Sequence, residues 1–206
     1  MRTPAPQALL FDLGGVLIEI DFGRALSAWA ACSALPLAEL KRRFRFDTQY
    51  ERHERGEIGA DEYFDHLRTS LELAATREEV ARGWNAIFVG EMAAARAAVA
   101  AARKSLPCFA LTNTNATHMA CWSRRFPEVV GVFDRIFTSH EMGLRKPEPA
   151  VFEHICRATG IAPPSFVFFD DLPDNVEAAA RAGFQTVLVR SAGDVRDALQ
   201  ALGLAM

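Results

Sequence analysis

Apolar residues gather along this chain in two patterns. Five short runs are almost wholly apolar, and most end on polar residues: ALLFD (8–12), CFALTN (108–113), RIFTS (135–139), FVFFDD (166–171) and TVLVR (186–190). Near-continuous apolarity, rather than alternation, marks strands buried on both faces. Between the last four runs lie stretches of helical spacing: ATHMACWSRRF (116–126), PAVFEHICRATG (149–160) and NVEAAARAG (175–183). The last two close on Gly160 and Gly183, as helices commonly do. Strand and helix in alternation predict an α/β fold whose parallel sheet is covered on both sides.

The alternation breaks between Asp12 and Cys108, a gap far longer than one crossover helix needs. Four segments there have helical patterns: GRALSAWAACSA, LAELKRRF, ADEYFDHLRTSL and REEVARGWNAIF. Residues 18–87 therefore read as an inserted helical domain with short hinges near Ile18 and Phe88. Residues 1–17 and 88–206 form the sheet domain in this reading, and EMAAARAAVAAARK (91–104) is the crossover helix leading back to it.

Ligands of open α/β sheets bind at the carboxyl ends of the strands. That rule selects Asp12, the pair Thr112 and Asn113, Lys146, and the pair Asp170 and Asp171. Each has a plain structural explanation: a turn former, a helix start, a solvated lysine, a turn closed with Asp174. Together on one sheet edge they suit phosphoryl transfer. A carboxylate can attack phosphorus and divide one hard displacement into two easier ones. Asp12 and Asp171, with a backbone carbonyl, could hold Mg²⁺ between the two anions. Thr112, Asn113 and Lys146 would donate hydrogen bonds and charge to the other phosphoryl oxygens. The glycines after Asp12 fit as well, because Gly14 without a side chain lets its carbonyl and the neighbouring amides face metal and phosphate.

FDLGGVL, LTNTN, GLRKPEP and VFFDDLPDN, in that order, resemble the four motifs of the haloacid dehalogenase-like (HAD) hydrolases. More narrowly, FDLGGVLIEIDF, HERGEI, LTNTN and FFDD are similar to the bacterial α-D-glucose-1-phosphate phosphatases, and more distantly to the phosphatase domain of soluble epoxide hydrolases. The resemblance implies a Rossmann-like three-layer sandwich with an inserted α-helical cap, and Mg²⁺ as cofactor. It also implies Asp12 as nucleophile and metal ligand, Thr112 and Asn113 on the phosphate, and Lys146 steadying both. Asp171 would reach the metal with Asp170 behind it, and Asn175 would orient the loop.

The match fails at one position. Most phosphatases of this family carry a general-acid Asp two residues after the nucleophile, and here Gly14 stands there. General acid–base catalysis typically contributes about 10²- to 10⁴-fold. The glucose-1-phosphate phosphatases share this glycine, and a sugar C1 oxygen leaves more readily than an ordinary alcohol. His53 and Glu54 of HERGEI are the first candidates for a substitute proton donor, with Glu19 and Asp21 as alternatives. Trp84 and Asn85 are weaker candidates for the cap side of the cleft, Trp84 reading better as packing between cap helices.

The leading reading is thus a Mg²⁺-dependent phosphatase acting on a small phosphomonoester, a sugar phosphate such as glucose 1-phosphate. One alternative is a 2-haloacid dehalogenase, disfavoured by the paired carboxylates and by the lack of an aromatic residue after Leu13. The other is a lapsed binding or regulatory protein, prompted by Gly14. Composition agrees with a globular protein: 206 residues, half of them hydrophobic, 24% charged and a net charge of −3. No basic stripe calls for nucleic acid, and no apolar run is long enough to span a membrane. Cys32, Cys108, Cys121 and Cys156 have no metal-site spacing and fit a reduced, cytoplasmic setting. Asp12, Glu19 and Asp21 interrupt the first apolar stretch, so no signal peptide is expected.

Overall fold

A computed structural model describes residues 4–204. The strands are β1 (Ala8–Phe11), β2 (Ile18–Ile20), β3 (Phe88–Glu91), β4 (Cys108–Thr112), β5 (Arg135–Thr138), β6 (Phe166–Asp170) and β7 (Gln185–Leu188). Five form one parallel sheet in the order β5-β4-β1-β6-β7. The central strand shows why an unbroken apolar run was needed. Leu9 and Phe11 pack into one hydrophobic cluster and Ala8 and Leu10 into another, one on each face. The edge strands β5 and β7 are less buried.

The helices between β2 and β3 are α1 (Phe22–Ala30), α2 (Leu37–Arg43), α3 (Thr48–Glu54), α4 (Ala60–Ser70) and α5 (Arg77–Asn85). They form a helical cap over the sheet, with an aromatic centre. Trp29 and Trp84 stack at 6.0 Å, which requires Gly83, since a Cβ there would stand 2.2 Å from Trp29 Nε1. Trp84 is fully buried and stacks in turn on His118 of the sheet domain at 4.6 Å. It is therefore packing.

Two features of this region lie outside the sequence reading. The hinges pair as an antiparallel ribbon, Ile18 opposite Glu91 and Glu19 opposite Gly90, with a bulge before Ile20. The fifth cap helix, α3, has no apolar stripe in its sequence TQYERHE. It folds because Asp47 caps Tyr50 N and because Tyr50, His53 and Glu54, spaced as one helix face, turn inward.

The remaining helices are α6 (Ala93–Ala102), α7 (Ala116–Arg125), α8 (Pro127–Val130), α9 (Ser139–Met142), α10 (Pro149–Thr159), α11 (Pro173–Arg181) and α12 (Ala192–Ala201). Helix α6 packs on α12. On the other face Val151, Phe152 and Ile155 of α10 join Ala178 and Ala179 of α11 against β1 and β6. Helix α10 ends on Gly160 in the left-handed region. Gly183 lies one residue past the Ala182 cap of α11, also at positive φ. The four cysteines are free. Among the described residues no helix is long and apolar enough to cross a membrane.

Candidate active site

Register carries the predicted residues to one edge. Phe11 lies opposite both Ala110 and Phe169, so Asp12, Thr112 and Asp170 emerge together at the carboxyl ends of β1, β4 and β6. Asp12, Thr112, Asn113, Lys146, Asp171 and Asn175 all line one cavity of about 390 Å³, a size typical of small-molecule sites. Lys146 is 1% exposed, and its Nζ lies 3.0 Å from Asp12 Oδ1 and 2.7 Å from Asp170 Oδ2. Asp12 Oδ1 also accepts from Leu13 N at 2.7 Å. Asp12 Oδ2 accepts from no donor among the described residues.

Asp170 has a different task from Asp171. Asp170 is fully buried, and both its oxygens are engaged by Leu172 N, Asn175 Nδ2 and Lys146 Nζ. It holds Lys146 and the loop, while Asp171 faces the cavity. Asn175 orients this loop by donating to Asp170, whereas Asp174 is exposed in the first turn of α11. Asn113 clamps the lysine backbone, its Oδ1 accepting from Lys146 N at 2.8 Å and its Nδ2 donating to Lys146 O at 2.9 Å. One amide hydrogen of Asn113 is left for the cavity.

The inner end carries three carboxylates, Asp12, Asp170 and Asp171, whose oxygens lie within 4.8 Å of one another, against one buried ammonium. Burial pushes Asp12 up to about 7 in spite of Lys146, with Asp170 and Asp171 adding to the rise. Asp171 is raised as well, by burial and by Asp170. Burial would lower Lys146, but its two carboxylates outweigh that and raise it. An excess of buried negative charge around hard oxygen donors is what a divalent cation of the Mg²⁺ type neutralises. The backbone fits that function. Gly15, with φ of 72°, lies so close to Asp171 that a Cβ would stand 2.2 Å from Oδ2. The left-handed residue is thus Gly15, whereas Gly14 has a different neighbour. A Cβ on Gly14 would meet Ile20 Cδ1 at 3.0 Å, so an apolar side chain fills the space beside position 14.

HERGEI requires a correction. Its two candidate proton donors, His53 and Glu54, form the last turn of α3. His53 is 3% exposed, stacks on Tyr63 at 4.5 Å and does not line the cavity. Burial lowers its pKa. Gly56, at φ of 68°, turns the chain tightly against α9, where a Cβ would stand 2.4 Å from the His140 carbonyl. Glu54 does line the cavity, but both oxygens are committed, to Tyr50 OH at 2.8 Å and to Arg145 Nε at 2.9 Å. Burial raises the Glu54 pKa in spite of Arg145. Asp21 caps α1 through Gly23 N, and Glu19 is exposed on the ribbon. Neither lines the cavity, nor does Asn85. The residues missed by sequence reasoning are Tyr50 and Arg145. Arg145 lies inside the quoted GLRKPEP, directly before Lys146, and that position was its one available signal.

Comparison with known proteins agrees with this geometry. Phosphatase MT3486 of Mycobacterium tuberculosis is 30% identical over 199 residues, covering 92% of this chain and 90% of its own. A D-ribitol-5-phosphate phosphatase of Bacteroides thetaiotaomicron is 25% identical over 196 residues, covering 93% and 95%. A HAD family enzyme from Bacteroides thetaiotaomicron, solved in complex with magnesium and inorganic phosphate, superposes with a TM-score of 0.80 at 26% identity over 90% of this chain and 95% of its own. Residues 6–183 match the model of the haloacid dehalogenase-like hydrolases, and with its motifs at one sheet edge beneath a helical cap, the chain belongs to that family.

Proposed function

We propose that this protein is a Mg²⁺-dependent phosphomonoester hydrolase that passes the phosphoryl group through Asp12. The observation that carries the reading is the unpartnered Asp12 Oδ2 beside buried Lys146 and cavity-facing Asp171. A solved relative with magnesium and phosphate bound supports it. Asp12, Asp171 and the Gly14 carbonyl would hold the cation, which when bound offsets the negative charge of carboxylates and phosphate. Asp12 Oδ2 attacks phosphorus, and the bond to the leaving oxygen breaks. Water then attacks the aspartyl phosphate and restores the carboxylate. Lys146, Thr112 and Asn113 neutralise and orient the phosphoryl oxygens. The leaving oxygen takes its proton from water, because Gly14 offers no acid and Glu54 is ion-paired.

The glycine at position 14 bears on the leaving group. An enzyme with no acid beside its nucleophile favours a leaving oxygen that departs with little protonation, and the C1 oxygen of glucose 1-phosphate is one. A D-ribitol-5-phosphate phosphatase among the relatives is the reason to test a polyol phosphate as well. Residues 18–87 act as the cap that closes over the leaving group and excludes water. The test is phosphate release from glucose 1-phosphate, ribitol 5-phosphate and a simple aryl phosphate, with Mg²⁺ or with EDTA, for wild type and Asp12→Asn. Release that needs both Mg²⁺ and Asp12 supports the reading. Release that survives EDTA or Asp12→Asn sinks it.

A further inference from the structure

Beyond Lys146 the cavity changes character. Its cap wall is built from Ile18 and Ile20 of β2, Phe22 of α1, Phe46 and Ile87, with Phe88 of β3 beside them. Leu172 lines the opposite, sheet-domain side. Phe46 and Leu172 are 57% and 53% exposed, and they are the exposed large hydrophobic side chains among the described residues. Both lie on this one cavity, one on the cap and one on the loop after β6. Elsewhere among the described residues such groups are buried or half-buried.

Most polar groups of this outer wall already have protein partners, and Arg145 Nη2 is the exception. Tyr50 OH donates to Glu54, and Glu54 also accepts from Arg145. Arg145 donates again to Glu51. The His118 ring is held between Asn115 and the Trp84 carbonyl, and Thr114 Oγ1 accepts from Trp122. A hydroxyl-rich leaving group entering here would exchange water for a wall that is mostly apolar, with Arg145 Nη2 and the Glu54 lone pairs as its free polar positions. Each hydroxyl buried there without a partner loses its bonds to water and gains none in return. An apolar leaving group meets no such cost and gains by burial.

We infer that the cavity selects phosphomonoesters with an apolar alkyl or aryl leaving group over hydroxylated ones of the same size. This rests on the phosphatase reading and departs from the sugar-phosphate reading of the leaving group. The phosphate is held at the inner end and the apolar portion runs along Phe22 and Phe88. Longer members reach Phe46 and Leu172 at the mouth. Glu54, whose carboxylate has further lone pairs, and Arg145, whose Nη2 donates to no partner among the described residues, are where a single polar substituent is accommodated.

The test compares substrates matched in skeleton. Pentyl phosphate and ribitol 5-phosphate share five carbons and a primary leaving oxygen and differ only in hydroxyls. With Mg²⁺, kcat/KM should favour pentyl phosphate at least tenfold. Along unbranched alkyl phosphates from propyl to octyl it should rise about three- to fourfold per methylene until the cavity is filled. Phe46→Ser and Leu172→Ser should flatten the slope for the longer members more than for the shorter. Equal or better turnover of ribitol 5-phosphate, or a flat chain-length series, overturns the inference while leaving the phosphatase intact. No Mg²⁺- and Asp12-dependent release from any member, glucose 1-phosphate included, overturns both.

Discussion

The two ends of the cavity are built on opposite principles. At the inner end, groups of strong and unlike charge are held in a small volume, with the Asp12 Oδ2 atom left free to react. At the outer end, most polar groups are paired among themselves and the surface left over is mostly apolar. One end is organised to interact with charge, the other to exclude water from whatever leaves. The same loop serves both. Arg145 faces Glu54 of the cap and Lys146 faces Asp12, one residue apart. Arg55 also reaches Glu148 across the same boundary. The cap thus docks on the segment that positions Lys146 beside Asp12.

This comparison can be broken at several points. The largest effect belongs to the inner end. Asp12→Asn should lower Mg²⁺-dependent phosphate release by on the order of 10⁴-fold or more, as loss of a nucleophile does elsewhere, measured against a folded control by circular dichroism. A residual rate within tenfold of wild type would mean that another group reacts.

At the outer end the expected effect is on stability. The Glu54 side chain is 4% exposed and that of Arg145 15%, so Arg145→Ala leaves a buried carboxylate unpaired, at a cost of about 3–5 kcal/mol. Adding Glu54→Leu should recover much of that loss in urea denaturation. If the double variant is no more stable than Arg145→Ala, Glu54 does not carry a buried charge.

Gly15→Ala probes the metal side of the inner end. The added Cβ meets Asp171 Oδ2 and the residue must hold φ of 72°. The Mg²⁺ concentration for half-maximal activation should rise about 10–100-fold, the range seen when groups that orient metal ligands are lost. An unchanged activation curve would remove Asp171 from the cation site.

The smallest effect is a pH dependence of stability in EDTA. Asp12 is raised from 3.8 to about 7 in the folded, cation-free protein, so folding favours its protonated form. Its stabilising contribution is complete below the unfolded value and is lost as pH rises through about 7. The excess of the Asp12→Asn melting temperature over wild type should therefore grow between about pH 4 and pH 7, and Mg²⁺ should shrink it. His118, which burial lowers to about 3, acts in the opposite direction but equally in both proteins, so it cancels. A difference that does not change with pH contradicts the buried, repelled state of Asp12.

Legibility in the sequence follows the same division. The sheet and most of the inner end were readable because Asp12, Thr112, Asn113, Asp170 and Asp171 sit at the ends of their strands, with Lys146 in the loop beyond β5, and a both-faces-buried strand has an unbroken apolar signature, as in ALLFD and FVFFDD. The outer end was not. Its wall draws on Ile20, Phe46 and Phe88, residues far apart in the chain and ordinary in composition. Helix α3 was invisible because its inward face is Tyr50, His53 and Glu54, polar residues whose burial depends on Tyr63, Arg145 and the α9 backbone. For the same reason His53 looked like a cleft residue and is a packed one. The αL glycine could not be told from its neighbour either, since Gly14 and Gly15 differ only in what stands opposite them, Ile20 in one case and Asp171 in the other.

The central claim is that Asp12 carries the phosphoryl group. Its direct test is to mix enzyme with excess substrate and Mg²⁺, quench in acid during turnover, and map phosphoryl adducts by mass spectrometry. The account predicts an adduct on the peptide containing Asp12, absent from Asp12→Asn and from samples in EDTA. Phosphate release at full rate with no adduct on that peptide, or with the adduct on another residue, would contradict it.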